Sequence, residues 1–444
     1  MNDGNLLIAG GRVIDPAGGL DRVADVRVKD GKIACIDAGL PPGDAEVIDA
    51  RGKIVCPGLI DIHVHFREPG DEDEETIASG SAAAVAGGFT SVAVMPNTRP
   101  ALDDESAIEY VYHQAQRADL CNVYPVGAIT KNREGVELAE MGQMIRAGAV
   151  GFTDDGCGVA KSAVMLRALQ YLRMFDRPLL QHCEDPDISA GGVMNGGVTA
   201  VRLGLPGMNA IAEELMIQRD LTLVRATGAR YHVSHISTAR SVELVRQGKA
   251  DGLRVTTEVC PHHLLLTEEA CATYDTNFKM NPPLRTRADV EACLAGLADG
   301  TIDCLVTDHA PHGVQEKELE FLDAPFGIIG LESALPLYVK ALIEPGVLDW
   351  PAMIERMTLR PARVLSLDKG TLAPGADADI TVIDPALRWT IDVREFRSKS
   401  RNCPFDGWEV TGRAVCTIVG GRVKYRLGES PHSAHPRGVS VGAS

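Results

Sequence analysis

The chain has 444 residues, 45% of them hydrophobic, and a formal net charge of -17 from 61 acidic and 44 basic residues. Such a chain can bury one large core and a smaller one, and its acidic field repels nucleic acid and anionic membranes. We therefore expect neither as a partner, whereas a small anionic substrate needs only local positive groups. The eleven cysteines are not closely paired, and residues 1–10 have no signal-peptide pattern, so we expect a cytoplasmic protein.

Both ends of the chain are rich in short runs of β-forming residues. Residues 1–56 alternate short β-rich runs with glycine turns, and residues 29–32, Lys-Asp-Gly-Lys, have the Asp-Gly signature of a tight hairpin. Short β-rich runs return in residues 370–430. Neither end has enough strands for a stable sheet, so we predict that both termini together form one small β-sandwich domain. Residues 431–444 are polar and contain proline, which predicts a disordered tail.

Residues 57–369 repeat an alternation of short apolar runs and longer segments of helical period. Strands that alternate with helices imply parallel strands joined by crossovers. Eight such units in about 300 residues predict an α/β fold, a (β/α)8 TIM-like barrel. A doubly wound open sheet is the alternative, but no Gly-x-Gly-x-x-Gly sequence follows a strand. The predicted strands are residues 58–66, 90–96, 122–129, 149–153, 178–183, 230–236, 254–260 and 302–307.

The first of these runs ends in His63 and His65. Residues two apart in a strand share a face, so both imidazoles can reach one metal ion. A single His-x-His pair is weak evidence, but other polar residues also follow the predicted strands, at the rim where a barrel of this kind carries its active site. These residues are Arg67, Asn97, Asp154, Asp155, His182, Glu184, His235, Asp308 and His312.

The residue types at this rim indicate a metal centre. Imidazole and carboxylate suit Zn²⁺, and four histidines with two carboxylates exceed the needs of one catalytic zinc. Two metals about 3.5–4 Å apart would generate a bridging hydroxide at neutral pH. A neighbouring carboxylate could accept its proton and pass that proton to a leaving nitrogen. The residues alone therefore predict metal-assisted hydrolysis, or its reverse.

Five motifs are spread along the chain: His-Val-His-Phe-Arg-Glu-Pro-Gly at 63–70, Met-Pro-Asn-Thr at 95–98, Gly-Phe-Thr-Asp-Asp-Gly at 151–156, Asn-Pro-Pro-Leu-Arg at 281–285 and Thr-Asp-His-Ala-Pro-His at 307–312. In this order they resemble the motifs of the dihydroorotase family of the amidohydrolase superfamily, over essentially the whole chain. The resemblance implies a zinc enzyme that reversibly cyclises N-carbamoyl-L-aspartate to L-dihydroorotate in de novo pyrimidine (UMP) biosynthesis. It also implies a homodimer and a complex with aspartate transcarbamoylase.

The resemblance carries roles to individual residues. Asp308 would be the general acid/base. Arg67 offers a planar fork that grips a substrate carboxylate, and residues 313–330 would form a mobile cover. The metal ligands would be His63, His65 and Asp308 for one zinc, His182 and His235 for the other, and Asp155 between them. The substrate contacts would be His65, Arg67, Asn97, Asn281, His312 and the backbone of Phe326 and Gly327.

The fourth predicted strand departs from many amidohydrolases, in which a carboxylated lysine bridges the metals. Here the strand ends in Asp154 and Asp155, and the next lysine is Lys161. The resemblance assigns the bridge to Asp155, whereas strand phase alone leaves the two aspartates open. We expect two zinc ions per subunit. Because an aspartate is a shorter bridge than a carboxylated lysine, the occupancy of the second site stays open.

Two other functions are consistent with the same motifs. One is another cyclic-amide hydrolase, such as an allantoinase or a dihydropyrimidinase, but Arg67 and His312 favour a ring that bears a carboxylate. The other is a catalytically silent scaffold for aspartate transcarbamoylase, which should have lost metal ligands that are all present here. Among the remaining histidines, we predict that His232 packs against the helices and that His262 and His263 support the ligands.

Overall fold

The computed structural model describes residues 5–429, and the tail predicted at 431–444 lies outside the described residues. The fold is α/β, as the alternation along the chain predicts. The strands are β1 (Leu6–Asp15), β2 (Leu20–Lys29), β3 (Lys32–Asp37), β4 (Glu46–Asp49), β5 (Ile54–Pro57), β6 (Leu59–Val64), β7 (Phe89–Val94), β8 (Asn122–Pro125), β9 (Leu179–Gln181), β10 (Met194–Asn195), β11 (Gly207–Met208), β12 (Tyr231–Val233), β13 (Val255–Val259), β14 (Cys304–Leu305), β15 (Ile380–Thr390), β16 (Glu409–Val419) and β17 (Arg422–Arg426).

Helices occupy most of the connections between the parallel strands. The α-helices are α1 (Ile77–Gly87), α2 (Glu105–Ala118), α3 (Met141–Ala147), α4 (Ser162–Arg173), α5 (Pro186–Ser189), α6 (Val198–Leu203), α7 (Ile211–Thr227), α8 (Ala239–Ala250), α9 (His262–Leu265), α10 (Arg287–Ala298), α11 (Val314–Lys317), α12 (Ala334–Tyr338), α13 (Trp350–Met357) and α14 (Leu359–Leu365). Shorter helical turns are Pro16–Gly18, Lys131–Arg133, Glu268–Thr273, Thr276–Phe278 and Val393–Glu395, and Val339–Ile343 is a π-helix.

Strands from both ends of the chain join one eight-stranded sheet in the order β17-β16-β15-β5-β1-β2-β3, with β4 also paired to β1. The two ends are joined by the antiparallel pairing of β5 with β15 and by an antiparallel bridge between Lys32 and Asp377. The predicted Asp-Gly hairpin is confirmed, because Asp30 and Gly31 both have positive φ, 52° and 75°, between β2 and β3. A separate hydrophobic cluster, which includes Ile8, Val26 and Ile380, packs in this sheet.

Parallel pairing connects the strands of the middle region into a closed cycle. It runs from β6 to β7 and β8, and then through bridges from Gly127 to Phe152 and from Phe152 to Leu179. It continues through β9, β12, β13 and β14, and a parallel bridge between His309 and Val64 returns it to β6. Seven of the eight predicted runs contain a strand, and the fourth, residues 149–153, contributes only Phe152.

The helices are set by local signals that the sequence supplies. Thr76 and Thr286 cap α1 and α10 with reciprocal capping boxes, and Asp104 accepts the backbone N–H of Ala107 at the start of α2. The helices pack against the strands in one large hydrophobic cluster. This arrangement leaves the residues after each strand to form one rim of the cycle.

Candidate metal centre and substrate pocket

Six side chains from five separate segments meet at the rim that follows the parallel strands. Each has at most 8% of its surface exposed. His63 lies on β6, and the others follow a strand or, for Asp155, the Phe152 bridge. The six are the predicted ligands His63, His65, Asp155, His182, His235 and Asp308.

Asp155 is at the centre of this cluster. Its Oδ1 lies 3.4 Å from His63 Nε2, 3.6 Å from His235 Nε2 and 3.7 Å from His182 Nδ1. Its Oδ2 lies 3.5 Å from His65 Nε2. Asp308 Oδ1 is 3.1 Å from His65 Nε2 and 3.6 Å from His63 Nε2. Two groups of ligand atoms, one around Asp155 and one around Asp308, therefore share His63.

The donor atoms of this cluster fit a divalent metal. Ligands bound tetrahedrally at about 2.0–2.1 Å from zinc lie roughly 3.3 Å from one another, which is close to the separations found here. His63 Nε2 and Asp155 Oδ1 are buried without a hydrogen-bond partner in the part of the chain that the structure describes. Buried polar atoms are normally hydrogen-bonded, so these two atoms indicate a bound cation.

Asp154 has a different environment from Asp155. Its Oδ1 accepts the backbone N–H groups of Ile129 at 2.8 Å and Thr130 at 3.0 Å, and its Oδ2 accepts the Thr130 hydroxyl at 2.5 Å. Asp154 therefore holds the segment after β8, and Asp155 is the aspartate that faces the histidines.

A buried glutamate that sequence reasoning missed orients the first ligand histidine. Glu258, on β13, lies 2.5 Å from His63 Nδ1 through Oε1 and 3.0 Å from His232 Nε2 through Oε2. A carboxylate fixes the proton of His63 on Nδ1, so Nε2 presents its lone pair to the cluster. The signal in the sequence that could have revealed Glu258 is a glutamate within a short β-branched run, Val-Thr-Thr-Glu-Val. His65 is fixed in the same way by Asn97, whose Oδ1 lies 2.7 Å from His65 Nδ1.

The expectation that His232 packs against the helices is wrong. Its two ring nitrogens bond Thr256 and Glu258 of the adjacent strand. The expectation assumed that strand alternation continues from His232 to His235, but β12 ends at Val233 and His235 has a φ of 30°. His232 thus supports the carboxylate that orients His63.

The carboxylates of the cluster are held in the ionised form. Burial raises the pKa of Asp155 and of Asp308, but interaction with His63 and the other histidines of the cluster outweighs burial and leaves both values well below the usual range. Burial also opposes ionisation of Glu258, and His63 and His232 lower its pKa to about 2. The cluster therefore presents negative charge to a cation at neutral pH.

Three residues of the rim have the left-handed backbone conformation that side chains other than glycine rarely adopt. The φ values are 51° for Arg67, 30° for His235 and 50° for Asp308. Such strain is concentrated at functional sites, where the surrounding structure holds a side chain in a required direction.

Arg67 and His312 form a pair beside the cluster. Arg67 Nε donates to Pro311 O at 3.0 Å and lies 3.1 Å from Glu74 Oε2. His312 Nε2 is 2.8 Å from Phe326 O and 3.2 Å from Arg67 Nη2. Because Arg67 can only donate, Nε2 cannot bond both groups, and the shorter contact assigns its proton to Phe326 O. Burial and the charge of Arg67 lower the pKa of His312 to about 3, so His312 is neutral.

The other predicted substrate residues lie at the same rim. Asn281 Nδ2 donates to Glu184 Oε2 at 2.6 Å and lies 3.3 Å from His182 Nε2. Gly327 has a φ of 126°, and a Cβ there would come within 2.7 Å of Ala310 Cβ, so the position requires glycine.

Two further residues, neither of them predicted from the sequence, hold the segment that contains Phe326 and Gly327. Asn402 donates to Ala310 O at 3.0 Å and to Gly327 O at 3.1 Å. Lys317 Nζ donates to Pro325 O and to Gly327 O, both at 3.0 Å. Asn402 belongs to the connection between β15 and β16, so the C-terminal part of the chain contributes to this rim.

Comparison with known proteins places the chain in a class and then in a family. A Dihydro-orotase-like family model matches residues 52–241, and an Amidohydrolase family model matches residues 291–425. These matches, together with the α/β fold, place the chain among the amidohydrolases. Two curated relatives, both named dihydroorotase, extend over almost the whole chain. The protein from Pelotomaculum thermopropionicum is 53% identical over 94% of this chain and 98% of its own, and that from Syntrophotalea carbinolica is 51% identical over 96% and 100%. The chain belongs to the dihydroorotase family.

Solved structures of related amidohydrolases have the same fold. The L-hydantoinase (dihydropyrimidinase) from Arthrobacter aurescens is 30% identical and superposes with a TM-score of 0.84 over 96% of this chain and 97% of its own. The D-hydantoinase (dihydropyrimidinase) from Thermus sp. is 27% identical, with a TM-score of 0.80 over the same shares. Within residues 5–429, no helix is both long and apolar enough to cross a membrane.

Proposed function

We propose that this protein is a zinc-dependent dihydroorotase, which interconverts N-carbamoyl-L-aspartate and L-dihydroorotate in cytoplasmic pyrimidine (UMP) biosynthesis. The observation that carries the proposal is the position of Asp155, with four histidine nitrogens within 3.4–3.7 Å of its carboxylate. The names of the relatives at 53% and 51% identity support the substrate. All eleven cysteines, which lie within residues 5–429, are free, which suits a reducing compartment.

Two zinc ions per subunit are part of the proposal. His63, His65 and Asp308 would hold one ion, His182 and His235 the other, and Asp155 would contact both. When bound, the zinc ions act as Lewis acids and bring the pKa of water towards about 7. The chain supplies the orientation of the ligands, through Glu258 behind His63 and Asn97 behind His65.

The proton is moved by Asp308. Its carboxylate is ionised and its Oδ1 lies within 3.6 Å of two histidine nitrogens, so it accepts a proton in the hydrolytic direction and returns that proton to the ring nitrogen that leaves. In the cyclisation direction the same carboxylate works in reverse.

The substrate carboxylate is bound by positive and neutral donors at the rim. Arg67 grips it with a planar guanidinium, and Asn97 adds a directed contact. His312 would add a further donor when its Nε2–H turns from Phe326 O to the substrate carboxylate. Asn281, which lies beside His182, would contact the substrate as well. The backbone of Phe326 and Gly327, held by Lys317 and Asn402, closes over the ring. His65 would contact the substrate as well as the metal.

We also propose a division into domains. Residues 57–369 form a (β/α)8 barrel, supported by the closed cycle of parallel pairings from β6 to β14 and back. Residues 1–56 and 370–430 would form the β-sandwich domain, and within the described residues 5–429 the union of both ends is supported by their one shared sheet and its separate hydrophobic cluster. A homodimer and a complex with aspartate transcarbamoylase rest on the family resemblance, and light scattering of the protein alone and with that partner tests both.

A hydrolase of neutral rings is the second candidate, because the solved relatives carry the names hydantoinase and dihydropyrimidinase. Arg67 and His312 argue against it, since a neutral ring does not require a guanidinium at the rim. A silent scaffold is disfavoured because all six predicted ligands converge.

The deciding experiment is an ultraviolet assay of the purified protein on L-dihydroorotate and on dihydrouracil, before and after a chelator, with metal analysis. We expect turnover of dihydroorotate alone, its loss with the zinc, and its return when zinc is restored. His63→Ala should remove turnover and zinc, whereas His113→Ala, an exposed histidine on α2, should retain both. Turnover of dihydrouracil alone, or undiminished turnover by His63→Ala, would contradict the proposal.

A further inference from the structure

A second group of potential metal ligands follows β13, outside the six residues around Asp155. Cys260, His262 and His263 each offer one ligand atom, and these atoms lie within 4.8 Å of one another. All three residues are buried, with 0%, 2% and 3% of their surface exposed. The turn is closed by the backbone N–H of His263, which donates to Cys260 O at 3.2 Å.

The protonation of His263 leaves a nitrogen lone pair inside the protein. Its Nε2 lies 3.0 Å from Pro282 O, and a carbonyl only accepts, so Nε2 carries the proton. Nδ1 is then an acceptor, and it is buried without a hydrogen-bond partner among the described residues. His262 Nε2 is likewise buried and unpartnered within residues 5–429. Two unpartnered ring nitrogens on adjacent buried histidines beside a buried thiol are unusual, since buried polar atoms are normally satisfied.

We propose that Cys260, His262 and His263 form a third metal site, for a thiophilic divalent cation such as Zn²⁺. One thiolate and two neutral imidazoles are a donor set that zinc accepts, and the fourth tetrahedral position stays open. The thiol loses its proton to solvent as the sulfur–metal bond forms, and no electron is transferred. The site shares no residue with the centre around Asp155, whose donors are only nitrogen and oxygen.

Sulfur makes this site distinguishable by spectroscopy. The metal-free protein is loaded with Co²⁺ alone, and the near-ultraviolet band of thiolate-to-cobalt charge transfer is followed as cobalt is added. We expect the band in the wild type together with a third equivalent of bound cobalt. Cys260→Ser should lose the band and one equivalent of metal, and His262→Gln should weaken binding of that equivalent by 10-fold or more.

Cys304→Ser is the matched control. Cys304 is as buried as Cys260 and belongs to the same hydrophobic cluster, but it has no place in the three-residue group. It should keep the band. X-ray absorption of the zinc-loaded wild type should show sulfur at about 2.3 Å, independently of whether any variant folds. A cobalt-loaded wild type without the band, a band that persists in Cys260→Ser, or zinc without a sulfur neighbour would overturn the third site and leave the proposed dihydroorotase centre untouched.

Discussion

Replacement of Glu258 by glutamine tests whether the carboxylate behind His63 contributes to metal binding. The substitution preserves shape and removes the charge. Glu258 accepts from His63 Nδ1 at 2.5 Å, from His232 Nε2 at 3.0 Å and from the backbone N–H of His235 at 3.3 Å. Because His63 and His235 are proposed ligands of different metals, loss of the Glu258 charge should weaken the binding of both metals.

The magnitude follows from the type of hydrogen bond. A bond to a charged acceptor contributes about 1.5–3 kcal/mol and a neutral bond about 0.5–1.5 kcal/mol. The contact to His63 therefore weakens by roughly 1–1.5 kcal/mol, which is close to tenfold in affinity. Removing the partner of a metal-bound histidine generally costs about 10–100-fold in metal affinity. We expect the zinc affinity of Glu258→Gln to fall within that range.

The assay is competition for zinc with a chromophoric chelator, followed by recovery of turnover as free zinc is raised. Asp220→Asn is the control, because Asp220 is a buried carboxylate that bonds Tyr231 and Arg219 and contacts no proposed ligand. The control should keep wild-type affinity. Equal zinc affinity of Glu258→Gln and wild type would refute the reasoning about His63.

Three further predictions follow from the same contacts. Arg67→Lys keeps the charge but loses the fork, so kcat/KM on dihydroorotate should fall 10-fold or more; a near-normal value would mean that the carboxylate is bound elsewhere. Asp308→Asn should retain most zinc and lower kcat by about 10²–10⁴-fold, and an unchanged rate and pH profile would remove Asp308 from proton transfer. Burial raises the pKa of Asp220 from 3.8 to about 6, so the folded protein binds more protons than the unfolded chain between these values. The free energy of unfolding should therefore fall by up to roughly 3 kcal/mol as the pH rises through that window. Denaturant titrations at about pH 4 and pH 7 measure this fall, which should be absent in Asp220→Asn. Equal pH dependence of the variant and the wild type would contradict the prediction.

Most of the strand pattern was predictable because apolar runs alternate with helical segments along residues 57–369. The exception is the run at 149–153, which forms no strand and pairs only through Phe152. This run is short, and Asp154 directly after it bonds the backbone of residues 129 and 130. The side-chain contact of Asp154 with residues 129 and 130 therefore takes the place of regular strand pairing in this run.

The residues of the rim could be predicted because parallel strands bring their ends to one edge, so spacing along the chain is enough. The partners behind them could not. Glu258 is 195 positions from His63, and Asn402 is 75 positions from Gly327. Neither follows a strand of the middle region at the rim, so no local pattern links them to the site.

The choice between Asp154 and Asp155 shows the limit of periodicity. Adjacent residues after a strand point in different directions, but the phase depends on where the strand ends. In the structure the backbone N–H groups of Ile129 and Thr130 engage Asp154, and this leaves Asp155 to face the histidines. That distinction rests on contacts made by another segment.

Anomalous diffraction at the zinc edge, from crystals of the zinc-loaded protein, tests the metal centre most directly. We predict two neighbouring peaks on either side of Asp155, one against His63, His65 and Asp308 and the other against His182 and His235. Zinc located only away from Asp155, or no zinc bound to these histidines, would contradict the account.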